Sequence, residues 1–243
     1  MDDFLDLCDS DIADNTDSDF VKLPLIGEIA PEFVANTTNG AIKFPDDFIG
    51  SWVILFSHPS DFTPVCTSEF IAFQKEIQEF EKLNAKLLGL SVGAISSHLA
   101  WIDAILKLPD GADIQFPVID DANMRVAKKY GMIHPAASDT SAVRAVFVID
   151  PTGIIRAILY YPAVLGRNIS EIRRMLIGLQ VTDKFKVATP ANWNPGDLVL
   201  TPAPHTVSAL RQHTGKEAWF YSHKRLSEND IFSKIGKQKS GKK

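Results

Sequence analysis

Cysteine is scarce in this sequence, because only Cys8 and Cys66 occur among its 243 residues. Two cysteines cannot form a disulfide framework, and this usage is typical of a reducing compartment in which thiols persist. The sequence also lacks an apolar run of about 18 residues that could cross a membrane, and its N-terminus lacks the basic residues of a targeting presequence. We therefore expect a cytoplasmic protein that does not contact membranes and whose cysteines are reduced.

Positive charge is absent from the start of the chain, since residues 1–20 contain eight Asp and no Lys or Arg. This stretch of Asp, Ser and Asn predicts a disordered acidic extension over residues 1–21. The opposite end, residues 234–243, is rich in Lys but short and without aromatic residues, so it does not indicate nucleic-acid binding. The close Cys and His spacings of a zinc site are missing as well, and we expect no bound metal.

Between these ends, short apolar segments alternate with longer amphipathic ones. The apolar segments have the length and composition of strands covered on both faces, and they lie at residues 51–57, 85–92, 144–150 and 154–161. After Cys66, apolar residues recur every three or four positions, which predicts a helix over residues 66–83 with Glu69 on one of its other faces. Further helices are predicted at residues 97–108, 122–130 and 170–181. Residues 150–153, Asp-Pro-Thr-Gly, predict a turn and an antiparallel hairpin, within an α/β layered sheet with flanking helices.

The sequence changes character after about residue 183, where it becomes rich in Pro and Asn and loses its periodicity. We predict three parts: the extension at 1–21, a main domain at 22–183, and a C-terminal arm or small dimerisation domain at 184–243 that ends in the Lys-rich tail. The arm contains Trp193, Trp219, Phe220 and Tyr221. This aromatic area is too large to remain in water, so it predicts at least a dimer in which the arm contributes to the interface.

Cys66 lies in the segment SHPSDFTPVCTSEF, residues 57–70, between a predicted strand and a predicted helix. The unpaired amides and the positive dipole end of a helix N-terminus favour a thiolate at such a position. Pro59 and Pro64 restrict the loop, and Thr63 places a hydroxyl three residues before the sulfur. Taken alone, this setting fits a reactive cysteine and a buried structural cysteine equally well.

The pattern PxxxTxxC, here Pro59, Thr63 and Cys66, closely resembles the active-site loop of the peroxiredoxins. The surrounding HPxDFTPVCTxE resembles the branch with a long C-terminal extension, the single-cysteine (1-Cys) and archaeal-type group. GEIAPEF, RAVFVIDPTG, YYPAVLGRN and VATPANWNPGD also occur in the expected order, so the resemblance covers about residues 23–226. It implies a thioredoxin-like fold, a thiol peroxidase that reduces hydrogen peroxide and alkyl hydroperoxides, and no metal or organic cofactor.

The same resemblance implies the chemistry of the central residues. A Cys66 thiolate would attack the nearer peroxide oxygen and become a sulfenic acid. Arg144 would hold the thiolate and the peroxide oxygens, and Thr63 would orient the thiolate and the substrate. Pro59 would shield the sulfur from water.

Two further residues receive secondary roles from the resemblance. His58 would border the peroxide pocket, although a purely structural histidine is the competing interpretation. Arg167 would support the active-site network. A cysteine hydrolase with Cys66 as nucleophile and His58 as base is a second hypothesis, but no residue pattern here supplies its third group or its substrate cleft.

The sequence departs from many peroxiredoxins because no cysteine follows Cys66. Tyr221 stands where some archaeal-type relatives carry sulfur, so regeneration would need an external thiol such as thioredoxin, glutathione or a similar reductant. Cys8 lies between Asp6 and Asp9, where like charges disfavour its thiolate, and we interpret it as a spectator. Relatives with this arm form dimers and often rings of five dimers, so we expect a homodimer that could assemble further into a decamer. The alternative function is a redox-switched oligomeric holdase or signalling partner with little turnover.

Overall fold

The computed structural model describes residues 23–138, 140–211 and 218–236. The predicted acidic extension, Cys8 and residues 237–243 of the Lys-rich tail lie outside these described residues. Within them, strands and helices alternate along the chain, as expected of an α/β protein.

One mixed sheet of seven strands forms the centre of the described residues. Its strands are β1 (Phe33–Thr37), β2 (Gly40–Phe44), β3 (Trp52–Ser57), β4 (Ala85–Ser91), β5 (Val118–Asp120), β6 (Arg144–Ile149) and β7 (Ile155–Tyr161). The order across the sheet is β2-β1-β5-β4-β3-β6-β7, with β3, β4 and β5 parallel. β6 runs antiparallel to both β3 and β7, which confirms the predicted hairpin. The sequence patterns above do not predict β1, β2 or β5.

The helices that cover the sheet are α1 (Pro64–Lys75), α2 (Ile77–Lys82), α3 (Ile95–Leu106), α4 (Arg125–Lys129) and α5 (Ile169–Phe185). A short 3-10 helix, Asp46–Phe48, precedes β3. The prediction of one helix over 66–83 is wrong in two respects, the residue at which the helix begins and its continuity. The first helix begins two residues earlier, with Pro64 at the position that needs no amide donor, and the helical run is interrupted at Glu76. Because Phe73 and Phe80 are buried on the two sides of this break, the apolar spacing continues across it and gives no sign of it.

β3 is buried on both faces and divides the core into two clusters. Ile54 and Phe56 pack with α1, α3 and α5, whereas Val53 and Leu55 pack with α4 and the β1–β2 hairpin. Successive strand residues face opposite sides of a sheet, so an unbroken apolar run marks a strand covered on both sides, as predicted here. The Phe56 ring also packs against two rings of α1. This packing holds the start of α1 beside the end of β3.

The C-terminal segment contains α6 (Val207–Arg211), α7 (Glu228–Lys234) and a small antiparallel pair of strands, β8 (Leu198–Leu200) and β9 (His223–Arg225). Trp193 is only 1% exposed and packs in the same cluster as α5. It therefore packs against its own chain, contrary to the expectation that it contributes to an interface. Trp219, Phe220 and Tyr221 are exposed. The division of the chain at residues 183 and 184 stays a prediction, and α5 crosses it to end at Phe185.

Candidate active site

Cys66 occupies the first turn of α1, directly after the loop that follows β3. Thr63 occupies the N-cap position in extended backbone conformation without a capping hydrogen bond from its side chain, and the Thr67 amide makes the first helical hydrogen bond, to the Thr63 carbonyl. Pro64 has no amide hydrogen, so the Val65 and Cys66 amides are the donors without a helical acceptor. The sulfur therefore lies at the positive end of the helix, as the sequence predicts. The Cys66 side chain is 0% exposed.

Arg144, the first residue of β6, is the charged group next to the sulfur. Its Nη1 donates to Cys66 Sγ at 3.3 Å and to Glu69 Oε2 at 2.7 Å. Its Nε and Nη2 both donate to the Ala163 carbonyl, at 3.0 and 2.7 Å. These bonds fix the plane of the guanidinium group, so the structure brings Arg144 and Cys66 together as predicted from the sequence.

Glu69 is a site residue, although the sequence predicts it on a face of the helix other than the apolar one. It is 2% exposed, and its carboxylate joins the two arginines. Arg167 donates from Nε to Oε1 at 2.9 Å, from Nη2 to Oε2 at 2.6 Å and from its backbone amide to Oε1 at 2.8 Å. Glu69 follows Cys66 by three residues, hence on the same side of the helix, and this spacing is the signal that could have identified it.

Arg167 is anchored to the sheet as well as to Glu69. Its Nη1 donates to the carbonyls of Ser57 and Ala145, each at 2.9 Å, at the facing ends of β3 and β6. Burial lowers the pKa of Arg167, and the hydrogen bond and charge of Glu69 oppose that effect. Arg167 thus supports the network through Glu69 and makes no hydrogen bond to the sulfur itself.

The three ionic side chains leave one surplus positive charge in a buried place. Arg144 and Arg167 each carry a positive charge, and Glu69 supplies the only carboxylate that bridges them among the described residues. A buried charge without a counterion is costly. The surplus therefore favours an anion at Cys66 Sγ, which would make the cluster neutral.

Ser57 aligns the strand that carries Arg144. Its Oγ donates to the Val143 carbonyl at 2.6 Å and accepts from the Ala145 amide at 3.0 Å, the two residues on either side of Arg144. The hydroxyl thus continues the pairing of β3 with β6 beyond the last backbone pair, Phe56 with Val146. Ser57 is a second site residue that was not predicted, because a serine at a strand end carries no distinctive sequence signal.

Thr63 and Pro59 lie in the loop before α1, and both are half-buried. The Thr63 hydroxyl donates to the Ser60 carbonyl at 2.9 Å rather than to the sulfur. In this arrangement only its lone pairs are available to a substrate, which narrows the predicted role of Thr63 to that of an acceptor.

His58 lies in a separate buried polar cluster beside α1. Its Nε2 hydrogen-bonds to Asp61 Oδ1 at 2.9 Å, and its Nδ1 is buried without a hydrogen-bond partner among the described residues. Its ring packs edge-on against Phe70, one turn after Cys66. Burial lowers the pKa of His58, against the opposing hydrogen bond to Asp61. The group that hydrogen-bonds to Cys66 Sγ is the Arg144 guanidinium and not the His58 imidazole. This arrangement does not support a cysteine hydrolase with His58 as its base.

No group of three or more His, Cys, Asp or Glu side chains among the described residues is arranged to hold a metal ion. In the same part of the chain, no helix has the length and apolar character needed to cross a membrane.

Comparison with known proteins identifies the family of this site. The model of the AhpC/TSA family matches residues 26–158, and that of the C-terminal domain of 1-Cys peroxiredoxin matches residues 178–215. The first match contains both Cys66 and Arg144, while Arg167 lies between the two. The chain is a peroxiredoxin of the AhpC/TSA family.

Individual peroxiredoxins are similar over most of the chain. A peroxiredoxin of Aquifex aeolicus is 59% identical over 220 residues, which cover 85% of this chain and 99% of the relative. One from Methanosarcina mazei is 54% identical over 200 residues, covering 80% and 91%. The solved structure of a yeast mitochondrial 1-Cys peroxiredoxin superposes with a TM-score of 0.75 at 41% identity, covering 84% of this chain and all of that one. The chain is accordingly a thiol-dependent peroxidase with a thioredoxin-like fold.

Proposed function

We propose that Cys66 is the residue that reduces the hydroperoxide. The observation that carries this proposal is the buried Arg144–Glu69–Arg167 cluster, which holds a guanidinium nitrogen 3.3 Å from Cys66 Sγ and has one surplus positive charge. Such a cluster stabilises a thiolate and also the negative charge that moves onto oxygen when a peroxide bond breaks. A buried structural cysteine would need neither.

The reaction follows from this charge distribution. The Cys66 thiolate attacks the terminal oxygen of a hydroperoxide, an S–O bond forms, and the O–O bond breaks. The sulfur is oxidised to a sulfenic acid that retains the hydroxyl hydrogen, and the leaving alkoxide or hydroxide takes a proton from water. In this proposal Arg144 stabilises the negative charge on the sulfur before attack and on the peroxide oxygens during it. The substrates are hydrogen peroxide and alkyl hydroperoxides.

The loop residues have narrower roles in this proposal. Thr63 offers hydroxyl lone pairs that accept a hydrogen bond from the peroxide O–H, because its own hydrogen is held by Ser60. Pro59 restricts the loop and excludes water from one side of the sulfur. His58 borders the pocket with an Nδ1 lone pair that lacks a partner among the described residues.

Regeneration requires an external thiol, because no cysteine follows Cys66 in the chain. One thiol attacks the sulfenic sulfur with loss of water to form a mixed disulfide, and a second thiol releases the reduced enzyme. The yeast mitochondrial 1-Cys peroxiredoxin has a thiol resolving mechanism that uses the glutathione and thioredoxin systems. We place this chain in the same 1-Cys class, with thioredoxin, glutathione or a similar thiol as its reductant.

Assembly and compartment complete the proposal. The exposed aromatic residues 219–221 form an apolar surface beside β9, with Phe220 66% exposed, and we assign it to a homodimer interface that could extend to a decamer. Light scattering at micromolar concentration tests the dimer, and a monomer there would contradict it. We assign the protein to the cytoplasm, a compartment in which thiols stay reduced.

The test is a single-turnover oxidation of the full chain. One equivalent of hydrogen peroxide should add one oxygen to Cys66, detected by mass spectrometry after capture with a nucleophile specific for sulfenic acids. Side-by-side turnover with the glutathione and thioredoxin systems then identifies the reductant. Oxidation without turnover under any reductant would favour the holdase or signalling alternative, and absence of rapid oxidation at Cys66 would overturn the proposal.

A further inference from the structure

The second buried polar cluster is formed by His58, Asp61, Ser97 and His98. Asp61 accepts hydrogen bonds from His58 Nε2 at 2.9 Å, from the Ser97 hydroxyl at 2.6 Å and from His98 Nδ1 at 2.8 Å. Both imidazole side chains are fully buried. Of these four residues, only His58 was predicted from the sequence to have a role.

The hydrogen-bond partners of His98 determine its protons. Its Nε2 lies 3.1 Å from the Ile119 carbonyl oxygen, which can only accept, so Nε2 carries a hydrogen. Its Nδ1 lies against the Asp61 carboxylate, which also only accepts when ionised. Hydrogen bonds from its three neighbours outweigh burial and lower the pKa of Asp61, so this carboxyl is ionised. Both ring nitrogens of His98 thus face acceptors, so the hydrogens that these two bonds require lie on His98, which pairs with Asp61 within the core.

With Asp61 already paired with His98, His58 needs no second proton. Its Nε2 donates to Asp61, and its Nδ1 has no donor or acceptor among the described residues. The ring packs against Phe70 and Trp101, and Trp101 donates to Thr67, the residue after Cys66. His58 therefore presents a bare ring nitrogen within the packing around the first turns of α1.

We propose that His98 is a positioning residue for the peroxidase reaction, which holds His58 in the neutral form protonated at Nε2. The Nδ1 lone pair of His58 then accepts a hydrogen bond from the second hydroxyl of hydrogen peroxide or from the Cys66 sulfenic acid. Without His98, the proton shared with Asp61 moves to His58, because His58 becomes the only imidazole beside the carboxylate. Its Nδ1 is thereby converted from an acceptor into a donor. The inference rests on the proposed role of Cys66 for its catalytic consequence, but not for its proton arrangement.

The proton arrangement is tested on the reduced protein by ¹⁵N NMR of the histidine rings. In the wild type, His98 should be protonated at both nitrogens and His58 at Nε2 only. In His98→Phe, His58 should become protonated at Nδ1. Asp61→Asn should leave His98 singly protonated while His58 keeps its Nε2 hydrogen, because an asparagine can accept from one ring and donate to the other. The half-buried His134, hydrogen-bonded to Gly131, provides the control His134→Gln.

The catalytic consequence is tested by the rate of Cys66 oxidation. His98→Phe should slow this rate about tenfold, the effect of one hydrogen bond. Addition of Asp61→Asn should restore most of the rate, because no unbalanced carboxylate then remains to protonate His58. A merely structural His98 would instead make the double variant slower than either single one. If His98→Phe does not fold, the wild-type and Asp61→Asn spectra decide.

Three outcomes are distinguishable. A wild-type His58 protonated at Nδ1, or an unchanged His58 in His98→Phe, would overturn the inference. The expected spectra together with no oxidation of Cys66 would overturn the proposed function and leave the proton arrangement intact. The expected spectra with an unchanged oxidation rate in His98→Phe would overturn the positioning role.

Discussion

Two buried polar clusters meet at the end of β3, one through Ser57 and the other through His58, and they balance charge differently. The cluster of Arg144, Glu69 and Arg167 has one positive charge in excess, and a sulfur atom lies beside it. In the neighbouring cluster, Asp61 is instead paired with His58 and His98. The surplus positive charge of the first cluster favours an anion at Cys66 Sγ. The second cluster has no such surplus, and its hydrogen bonds instead orient the His58 ring.

Loss of the sulfur should have the largest effect. Cys66→Ser should abolish peroxide reduction, because a serine hydroxyl is neither ionised nor an efficient nucleophile towards peroxide. Cys8→Ser is the matched control and should keep most of the activity. Coupled peroxidase assays and non-reducing mass spectrometry check both variants. Equal losses in the two, together with a disulfide between Cys8 and Cys66, would contradict the 1-Cys assignment.

Removal of the bridging carboxylate should mainly affect stability. Glu69→Gln leaves two buried guanidinium groups without their shared counterion, which should cost about 3–5 kcal/mol in the free energy of unfolding. The thiolate fraction of the folded protein should not decrease, since the local charge becomes more positive. Urea unfolding and the ultraviolet absorbance of the thiolate measure the two quantities. The exposed Glu81→Gln is the control, and a stability loss no larger than its own would show that Glu69 is not the required counterion.

Removal of Arg144 should affect the reactivity of Cys66 more than the stability of the fold. In Arg144→Gln, Glu69 and Arg167 still form a neutral pair, but the sulfur loses its guanidinium donor. Loss of a charge-assisted hydrogen bond costs roughly 1.5–3 kcal/mol, or about tenfold to a hundredfold in rate. We expect a lower thiolate fraction at neutral pH and also a slower reaction per thiolate, measured by stopped-flow fluorescence across pH.

Two comparisons sharpen the Arg144 experiment. Arg173→Gln, which removes a surface partner of Glu76, should change neither quantity. A smaller thiolate fraction in Arg144→Gln with an unchanged rate per thiolate would restrict Arg144 to preparing the nucleophile. If both quantities stay at the wild-type level, Arg144 has no part in the chemistry.

The smallest expected effect is a pH dependence of the free energy of unfolding that arises from His58 in the second cluster. Burial lowers the pKa of His58 below its ordinary value of 6.5, so the unfolded chain binds a proton that the folded chain does not. Stability contributed by His58 is therefore present above about pH 6.5 and lost as the pH falls. Between about pH 7.5 and 5.5 the loss should reach up to about 1.4 kcal/mol.

This contribution is isolated by difference. Urea unfolding at both pH values should show a weaker acid destabilisation in His58→Gln than in the wild type, because the other histidines are common to both proteins. His205→Gln, at an exposed position, should behave like the wild type. An identical pH dependence in all three proteins would show that His58 takes up a proton equally in the folded and unfolded states.

The sequence predicts those parts of the fold that depend on local apolar patterns. Residues 52–56 and 145–149 are unbroken apolar runs, and each forms most of a central strand. The short β5 has only three residues, Val118–Asp120, and is held by its neighbours rather than by a pattern of its own. The β1–β2 hairpin carried a usable signal in Asn39-Gly40, since Gly40 has a φ of +109° beside the turn.

The site divides in the same way. Cys66 and Arg144 could be predicted because each belongs to a distinctive motif. Glu69 offered only its three-residue spacing from Cys66, and His98 offered no signal, because a histidine on an amphipathic helix looks the same in sequence whether it faces solvent or a buried partner. Only the approach of β3, β6 and α3 to the start of α1 gives these two residues their partners, at separations of 75 residues for Arg144 and Glu69 and 37 for His98 and Asp61.

The Ser57 hydroxyl helps to fix the register of β6 against β3. Since its two hydrogen bonds go to the residues on either side of Arg144, a slip of one residue would break both bonds and turn the arginine to the other face of the sheet. Correct strand alignment and correct placement of the guanidinium are thus the same event. A slip of β6 would therefore also move the guanidinium away from Cys66 Sγ, and the Ser57 hydroxyl is one of the groups that oppose such a slip.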